Sequence, residues 1–304
     1  MKKRFLLAIL IILSYLFIPS VFAQDTIPIA VYLISIDNYD IATGTYNADF
    51  WVEFQCKNCS INDFELINGR IIDMNKIFLP ETNSTYYRVN AAFTDTVELH
   101  SFPLDSQTVT IVIEHSKLTS DKIVLVPDLS KSGIDSFVYI PGWRIDGWQA
   151  FSRDHFYGLY GQSHSTYTFE VSLTRHRDAA VLILLPIFFV VCIILFTLLL
   201  SVQRLDLRVG IVSSALLAAI MYHLAVGSHL PPAIGYLLLV DKVMLLTYFI
   251  LLAIFILNVY LLYLVHNKKM KAAQKWYYRT RYSWIIIAAA SYLLLFILFF
   301  WNFV

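Results

Sequence analysis

Four long apolar stretches crowd the second half of this chain, and they limit what it can fold into. They run over about 179–202, 209–226, 238–265 and 283–304. Each is close to the roughly 20 residues that a helix needs to cross the hydrocarbon core of a bilayer. Four buried helices of one soluble domain are a poor alternative, because a small domain has no room for so many helices apolar on every side. With 58% hydrophobic and 15% charged residues, the chain reads as a multi-pass membrane protein. Its formal charge of +1 gives no reason to propose nucleic acid as a partner.

The connections between these stretches set the orientation. The first, around Arg204 and Arg208, is basic. So is the third, with Lys268, Lys269, Lys271, Lys275, Arg279 and Arg281. The second, Gly227 to Leu238, contains no Lys or Arg. Basic loops stay cytoplasmic, so the residues before Arg177 and the second connection are expected on the outer side. Residues 1–23 agree, with a basic start, an apolar run and a small-residue ending at Ala23. That is the pattern of a cleaved signal peptide, an uncleaved anchor being the alternative.

Residues 24–176 have another grammar. Ile29–Ile36, Ala48–Phe54, Thr108–Glu114 and Tyr167–Leu173 alternate in Val, Ile, Tyr and Thr between Gly, Pro and Asn breaks. This predicts antiparallel β-structure, a sandwich or a barrel. Of the three cysteines, Cys192 lies in an apolar stretch as a packing residue. Cys56 and Cys59, in C-K-N-C, are permitted a local disulfide in an exported segment. A zinc site would need two more soft ligands, and none is visible. No metal or other cofactor is expected, and no G-x-S-x-G, H-E-x-x-H or convergent polar cluster points to an enzyme. The sequons at Asn58 and Asn83 recur by chance and carry no argument.

The second apolar stretch differs from the others. Gly210, Ser214, Leu217, Met221, Leu224 and Ser228 step by four and three residues, which makes one stripe along a helix. The stripe is polar at both ends and apolar at mid-height, with Asp206 one turn before it. Several copies around an axis could line a channel, with Asp206 as a ring of charge and Leu217 and Leu224 as a dewetting constriction. A helix packed among its neighbours, its Ala and Ser permitting close approach, explains the same residues.

Smaller features have two readings each. His223 and His229 could sense protons or simply hydrogen-bond between helices. Asp37 and Asp40, after the first strand, could couple the two halves or serve as turn acids. Asp241 and Lys242 are charges beside a membrane stretch, functional by default and inexpensive if interfacial. Tyr292, Phe296, Phe299, Phe300, Trp301 and Phe303 suit lipid-facing and interfacial anchoring.

Between the β-segments, His100–Gln107 reads HSFPLDSQ, with apolar Phe102 and Leu104 around Pro103. Together with Gly142–Trp148 (GWRIDGW), Pro186 in LILLPIFF and Leu230-Pro231, this order of parts resembles the pentameric ligand-gated ion channels, and their bacterial members in particular. The resemblance implies a homopentamer in a bacterial plasma membrane. Its Ig-like β-sandwich domains (24–176) would lie in the periplasm and bind a small molecule, and its four-helix domain (177–304) would carry the pore. It places Leu217 at the central gate and Asp206 at the inner mouth, where an acidic ring favours cations; Arg208 is expected to face away. It also implies coupling through Asp37, Asp40, Phe102, Pro103, Leu104, Asp105, Arg175, Leu230 and Pro231, with Arg175 one residue out of step. Phe102 and Leu104 should bury against Leu230 and Pro231, Pro103 should fix the turn with a cis bond available, and Asp105 should hold the loop. The two cysteines that bracket this loop in animal receptors are absent, Asp95 and Val109 standing in roughly those places. No Trp-x-Pro segment supplies a pocket aromatic, so a cage for a quaternary amine is not expected. The ligand candidates are Arg153, Asp154, Phe156, Tyr157 and Tyr160 on the hairpin from Phe151 to His164, with His115 nearby. They could equally be ordinary surface residues. A small molecule or protons would gate the channel. A non-conducting membrane sensor or assembly protein with a periplasmic β-domain is the alternative.

Overall fold

The computed structural model describes residues 25–56, 61–77, 84–232 and 234–301. The expected signal segment, Asn58, Cys59, Asn83, Phe303 and the side chains of Phe299, Phe300 and Trp301 lie outside that description. Among the described residues ten strands precede four long helices. The strands are β1 (Asp25–Asp40), β2 (Thr45–Phe54), β3 (Phe64–Leu66), β4 (Gly69–Ile77), β5 (Thr85–Thr94), β6 (Ser106–His115), β7 (Ile123–Pro127), β8 (Gly133–Ile134), β9 (Trp143–Tyr157) and β10 (Gln162–Arg175).

Two sheets face each other. One runs β4-β5-β2-β1-β7 with β8 also paired to β1, and the other runs β3-β6-β10-β9. Alternation drives the packing, since every second side chain of a strand points to the same face. Ile29, Val31 and Leu33, Phe50, Val52 and Phe54, and Val89, Ala91 and Phe93 point inward from the first sheet. Val109, Ile111 and Ile113, with Phe169, Val171 and Leu173, meet them from the second. The result is a sandwich with one core.

The expectation of purely antiparallel pairing is corrected. The β3-β6-β10-β9 sheet is antiparallel throughout, but β7 and β8 pair parallel to β1. The chain reaches β7 from β6 in the opposite sheet, and such a crossover is what lets a strand return alongside its neighbour in the same direction.

The helices are α1 (Arg177–Thr197), α2 (Leu205–Gly227), α3 (Leu239–His266) and α4 (Met270–Trp301). All four are long and apolar enough to cross a membrane. The last begins well before the expected 283, so Lys271, Lys275, Arg279 and Arg281 sit on its opening turns rather than in a loop. Lys, Arg, Gln and Ala are good helix formers, so loss of hydropathy there does not end the helix. Pro186 lies inside α1. Val212, Ala215 and Ala219 of α2 share a buried cluster with Ile187 and Ile194 of α1, Val243 and Ile250 of α3, and Ala288 of α4.

Candidate functional site

The two faces of α2 have opposite environments. Leu205, Arg208, Val212, Ala215 and Ala219 are buried within the chain. Asp206, Gly210, Ser214, Leu217, Met221, Leu224 and Ser228 are all exposed. Leu217, Met221 and Leu224 keep 63%, 60% and 65% of their surface open, so nothing in the chain packs on the apolar middle of the stripe. The open face is wider than the stripe, taking in Ser213, Ala218 and Ile220. Arg208 is only 1% exposed and holds its guanidinium 5.7 Å from the Tyr277 ring. Arg208 thus points into the chain, while Asp206 points out, as does Arg204 on its other side. Close packing against neighbours describes the Ala215–Ala219 face; within the chain it does not describe the stripe.

A second assembly joins sandwich to helices. Residues 100–107 leave β5 behind, turn through a cis Phe102–Pro103 bond and enter β6. Phe102 buries with Leu99 among Leu230, Leu238, Leu239 and Val240, while Leu104 packs at the cluster's edge. The backbone N–H groups of Leu239 and Val240 donate to the carbonyls of His100 and Phe102 at 3.1 Å each, so the loop accepts from the first turn of α3. Free N–H groups at a helix start need such acceptors. The Leu99 N–H donates to the Tyr236 hydroxyl at 3.1 Å, and the His100 ring stacks on Tyr236 with centroids 3.7 Å apart.

Asp105 locks this loop to the end of β10. Arg175 Nε and Nη2 donate to its two carboxylate oxygens at 2.7 and 3.0 Å, and Gln107 Nε2 adds a third donor at 2.8 Å. Asp105 is fully buried. The guanidinium also lies 4.3 Å from the Trp143 ring and 5.1 Å from that of Phe102. A buried carboxylate with a bidentate partner and a further donor is well satisfied. Arg175 therefore meets Asp105 despite standing one residue out of step.

Asp37 and Asp40 are not brought to this junction. Asp40 accepts from the Ala42 N–H at 2.8 Å and the Thr43 hydroxyl at 2.9 Å, a local turn contact. Asp37 accepts from Ser35 at 2.9 Å. The hairpin reaches the helices through Ile41 instead, which packs against both the sandwich core and the helix cluster. Pro231 is half-buried beside Leu230.

Above the loop, Asp95 accepts from the Thr110 N–H and hydroxyl at 2.6 and 2.9 Å, from Tyr46 at 2.8 Å and from Asn68 at 2.9 Å. It closes residues 96–109 without a covalent bond. Gly44 must be glycine beside it, because it has φ of 69° and a Cβ there would meet the Asp95 carbonyl at 2.1 Å.

On the β9–β10 hairpin, Arg153, Asp154, Phe156 and Tyr160 are exposed and do not converge. Tyr157 turns toward Glu114, donating to it at 3.1 Å. Burial, and then the charge of Glu114, push the Tyr157 hydroxyl up to about 12. His115 is spoken for: its Nδ1 accepts from the N–H groups of Lys117 and Leu118 at 3.2 and 3.0 Å, and burial holds it below the ordinary imidazole range. The sequence reading missed Glu114, His155 and His164. His155 and His164 are register partners across the hairpin, which centring the hairpin on its Gly-rich turn would have revealed.

His223 of α2 bridges to α3, with Nε2 3.0 Å from Asp241 and Nδ1 3.1 Å from the Tyr248 hydroxyl. Asp241 also accepts from the Leu238 N–H at 3.0 Å, capping α3. The interhelical hydrogen-bond reading of His223 fits this geometry. Cys56 is disulfide-bonded and Cys192 is free. No protein-family model matches this chain, and no curated protein matches it.

Proposed function

We propose that this chain is one subunit of a ligand-gated, cation-selective channel that assembles as a homopentamer around α2. The observation that carries the reading is the inversion of α2: an exposed stripe with Asp206 at one end, opposite a face where Arg208 is buried. A stripe that carries a carboxylate at one end and hydroxyls along it suits hydrocarbon poorly. Around an axis it would give an acidic mouth and an apolar constriction at Leu217 and Leu224. The junction at Phe102, Asp105 and Arg175 then transmits movement of the outer domain to α3, adjacent to α2. Gating in this scheme is a population shift, the stimulus binding the open arrangement better than the closed one.

The membrane is a bacterial plasma membrane with the β-domain outside, and the partners are further copies of the chain, lipid, permeant cations and a small molecule or protons. The test is reconstitution in planar bilayers with current recording across pH, calcium and small amines, together with imaging of the detergent-solubilised protein. Cation currents and a five-fold ring with a lumen support the reading. A monomer or dimer without currents overturns it in favour of a non-conducting sensor.

A further inference from the structure

A cleft of about 810 Å³ opens between α3 and α4, beneath the loop that joins the sandwich to the helices. Its size is that of a small-molecule site, and its character changes with depth. Glu98, His100 and Ser101 of the loop close its top. Lys242 and Leu246, one turn apart on α3, form one side, and Leu294, Leu295 and Leu298 of α4 form the other. Below the rim the walls are therefore apolar, and Leu294 and Leu298 keep 56% and 55% of their surface open. From Leu298 to Ser291 the groove follows roughly 10 Å of helix. The Ser291 hydroxyl at its inner end donates to the Ala288 carbonyl at 2.9 Å, so it spends its hydrogen within α4.

The rim carries charges of both signs. Lys242 is exposed. Neither its ammonium nor the Ser101 hydroxyl has a partner among the described residues. Asp241, next in sequence, is engaged elsewhere, by His223 and the Leu238 N–H. Glu98 pairs with the His100 ring yet keeps 68% of its side chain exposed. A carboxylate offers about four acceptor sites, so that pairing leaves capacity for another donor.

We propose that this cleft binds a phospholipid of the outer leaflet whose headgroup carries a phosphate and a primary ammonium, a phosphatidylethanolamine. The phosphate accepts from Lys242 and Ser101, and the ammonium donates to Glu98. An acyl chain lies along Leu246 and the α4 leucines, where it removes their open surface from other contacts. A lysine near the membrane interface keeps its stem on apolar surface and its charge at headgroup level, which is where a phosphate stands. The two signs of the rim set the preference. A phosphatidylglycerol headgroup brings Glu98 no cation, and the ammonium of a phosphatidylcholine has no N–H to donate. The inference goes beyond the channel reading and needs only that the helices span a bilayer with the sandwich outside. The carbonyls of His100 and Phe102 already receive the first N–H groups of α3, so the lipid links the same loop to α4.

Native mass spectrometry of the full chain in detergent, titrated in turn with phosphatidylethanolamine, phosphatidylcholine and phosphatidylglycerol, reads the site. Phosphatidylethanolamine should be retained about tenfold better than either of the others, the worth of one charge-assisted hydrogen bond. Lys242→Gln should lower its retention about tenfold. Glu98→Gln should remove the preference among the three. Leu294→Trp fills the groove from an open surface without touching the rim, and should displace the lipid by itself. Glycerophosphoethanolamine, the same headgroup without chains, should not compete at equal concentration; competition would assign the site to a free phosphate ester and overturn the lipid. Equal retention of the three lipids by the wild type, or retention that neither Lys242→Gln nor Leu294→Trp reduces, overturns the proposal in favour of ordinary bilayer contact. Selective retention by a protein that passes no current supports the site and overturns the channel reading alone.

Discussion

The sandwich and the helices place the same kinds of side chain in opposite positions. Ile29, Leu33, Phe50, Phe169 and Leu173 are at most 1% exposed, whereas Leu182, Phe196, Phe249 and Ile286 keep two thirds or more of their surface open. The sheets are each other's complement and finish their core within one chain. The helices share only a seam, and the rest of their apolar surface needs surroundings that the chain does not supply. Hydrocarbon answers that need for most of them. It answers it less well for the α2 face that carries Asp206, Ser214 and Ser228, the face that further copies would cover in the proposed assembly.

The contrast can be broken at the place where the two regions meet. Asp105→Ala would leave Arg175 buried against Trp143 and Phe102 without its anion, and should cost about 3–5 kcal/mol in thermal unfolding. Adding Arg175→Met should recover much of that loss. If the single change costs less than about 1 kcal/mol, the ion pair does not hold the junction. Asp95→Ala strips acceptors from Thr110, Tyr46 and Asn68, and should cost about 1–3 kcal/mol by the same measurement.

Two substitutions on α2 sharpen the contrast further. Ala215→Leu overfills a buried seam and should cost about 1–3 kcal/mol. Leu217→Ser, two residues on but facing out, should move stability by no more than about 0.5 kcal/mol and should make the pore easier to open in bilayer currents. Equal destabilisation by the two would mean that the stripe packs like the seam. Unchanged currents in Leu217→Ser would count against its position at the constriction.

Much of this organisation was legible in sequence, because it is written in local periods. The 4-3-4-3 stepping of α2 isolated the residues that the fold leaves open, and the apolar pair around Pro103 announced a docking loop. What escaped depends on distant pairing or on charge. The parallel β1–β7 contact joins residues that no local pattern relates. Glu114, His155 and His164 lie on three strands, and each alone reads as a polar residue of an alternating strand. Ile41 makes the hairpin contact that its charged neighbour Asp40 was expected to make, since a single apolar residue at a turn carries no pattern. The basic start of α4 reads as a loop because hydropathy measures the solvent a helix suits and not whether a helix forms.

The way Asp95 fastens residues 96–109 bears on the conditions the molecule tolerates. Its closure is made by two hydrogen bonds from Thr110, with Tyr46 and Asn68 as further donors to the same carboxylate, and contains no sulfur. A reducing agent strong enough to open the disulfide at Cys56 therefore leaves the loop beneath Asp95 tied, and the bond between outer domain and helices is indifferent to the redox state around it.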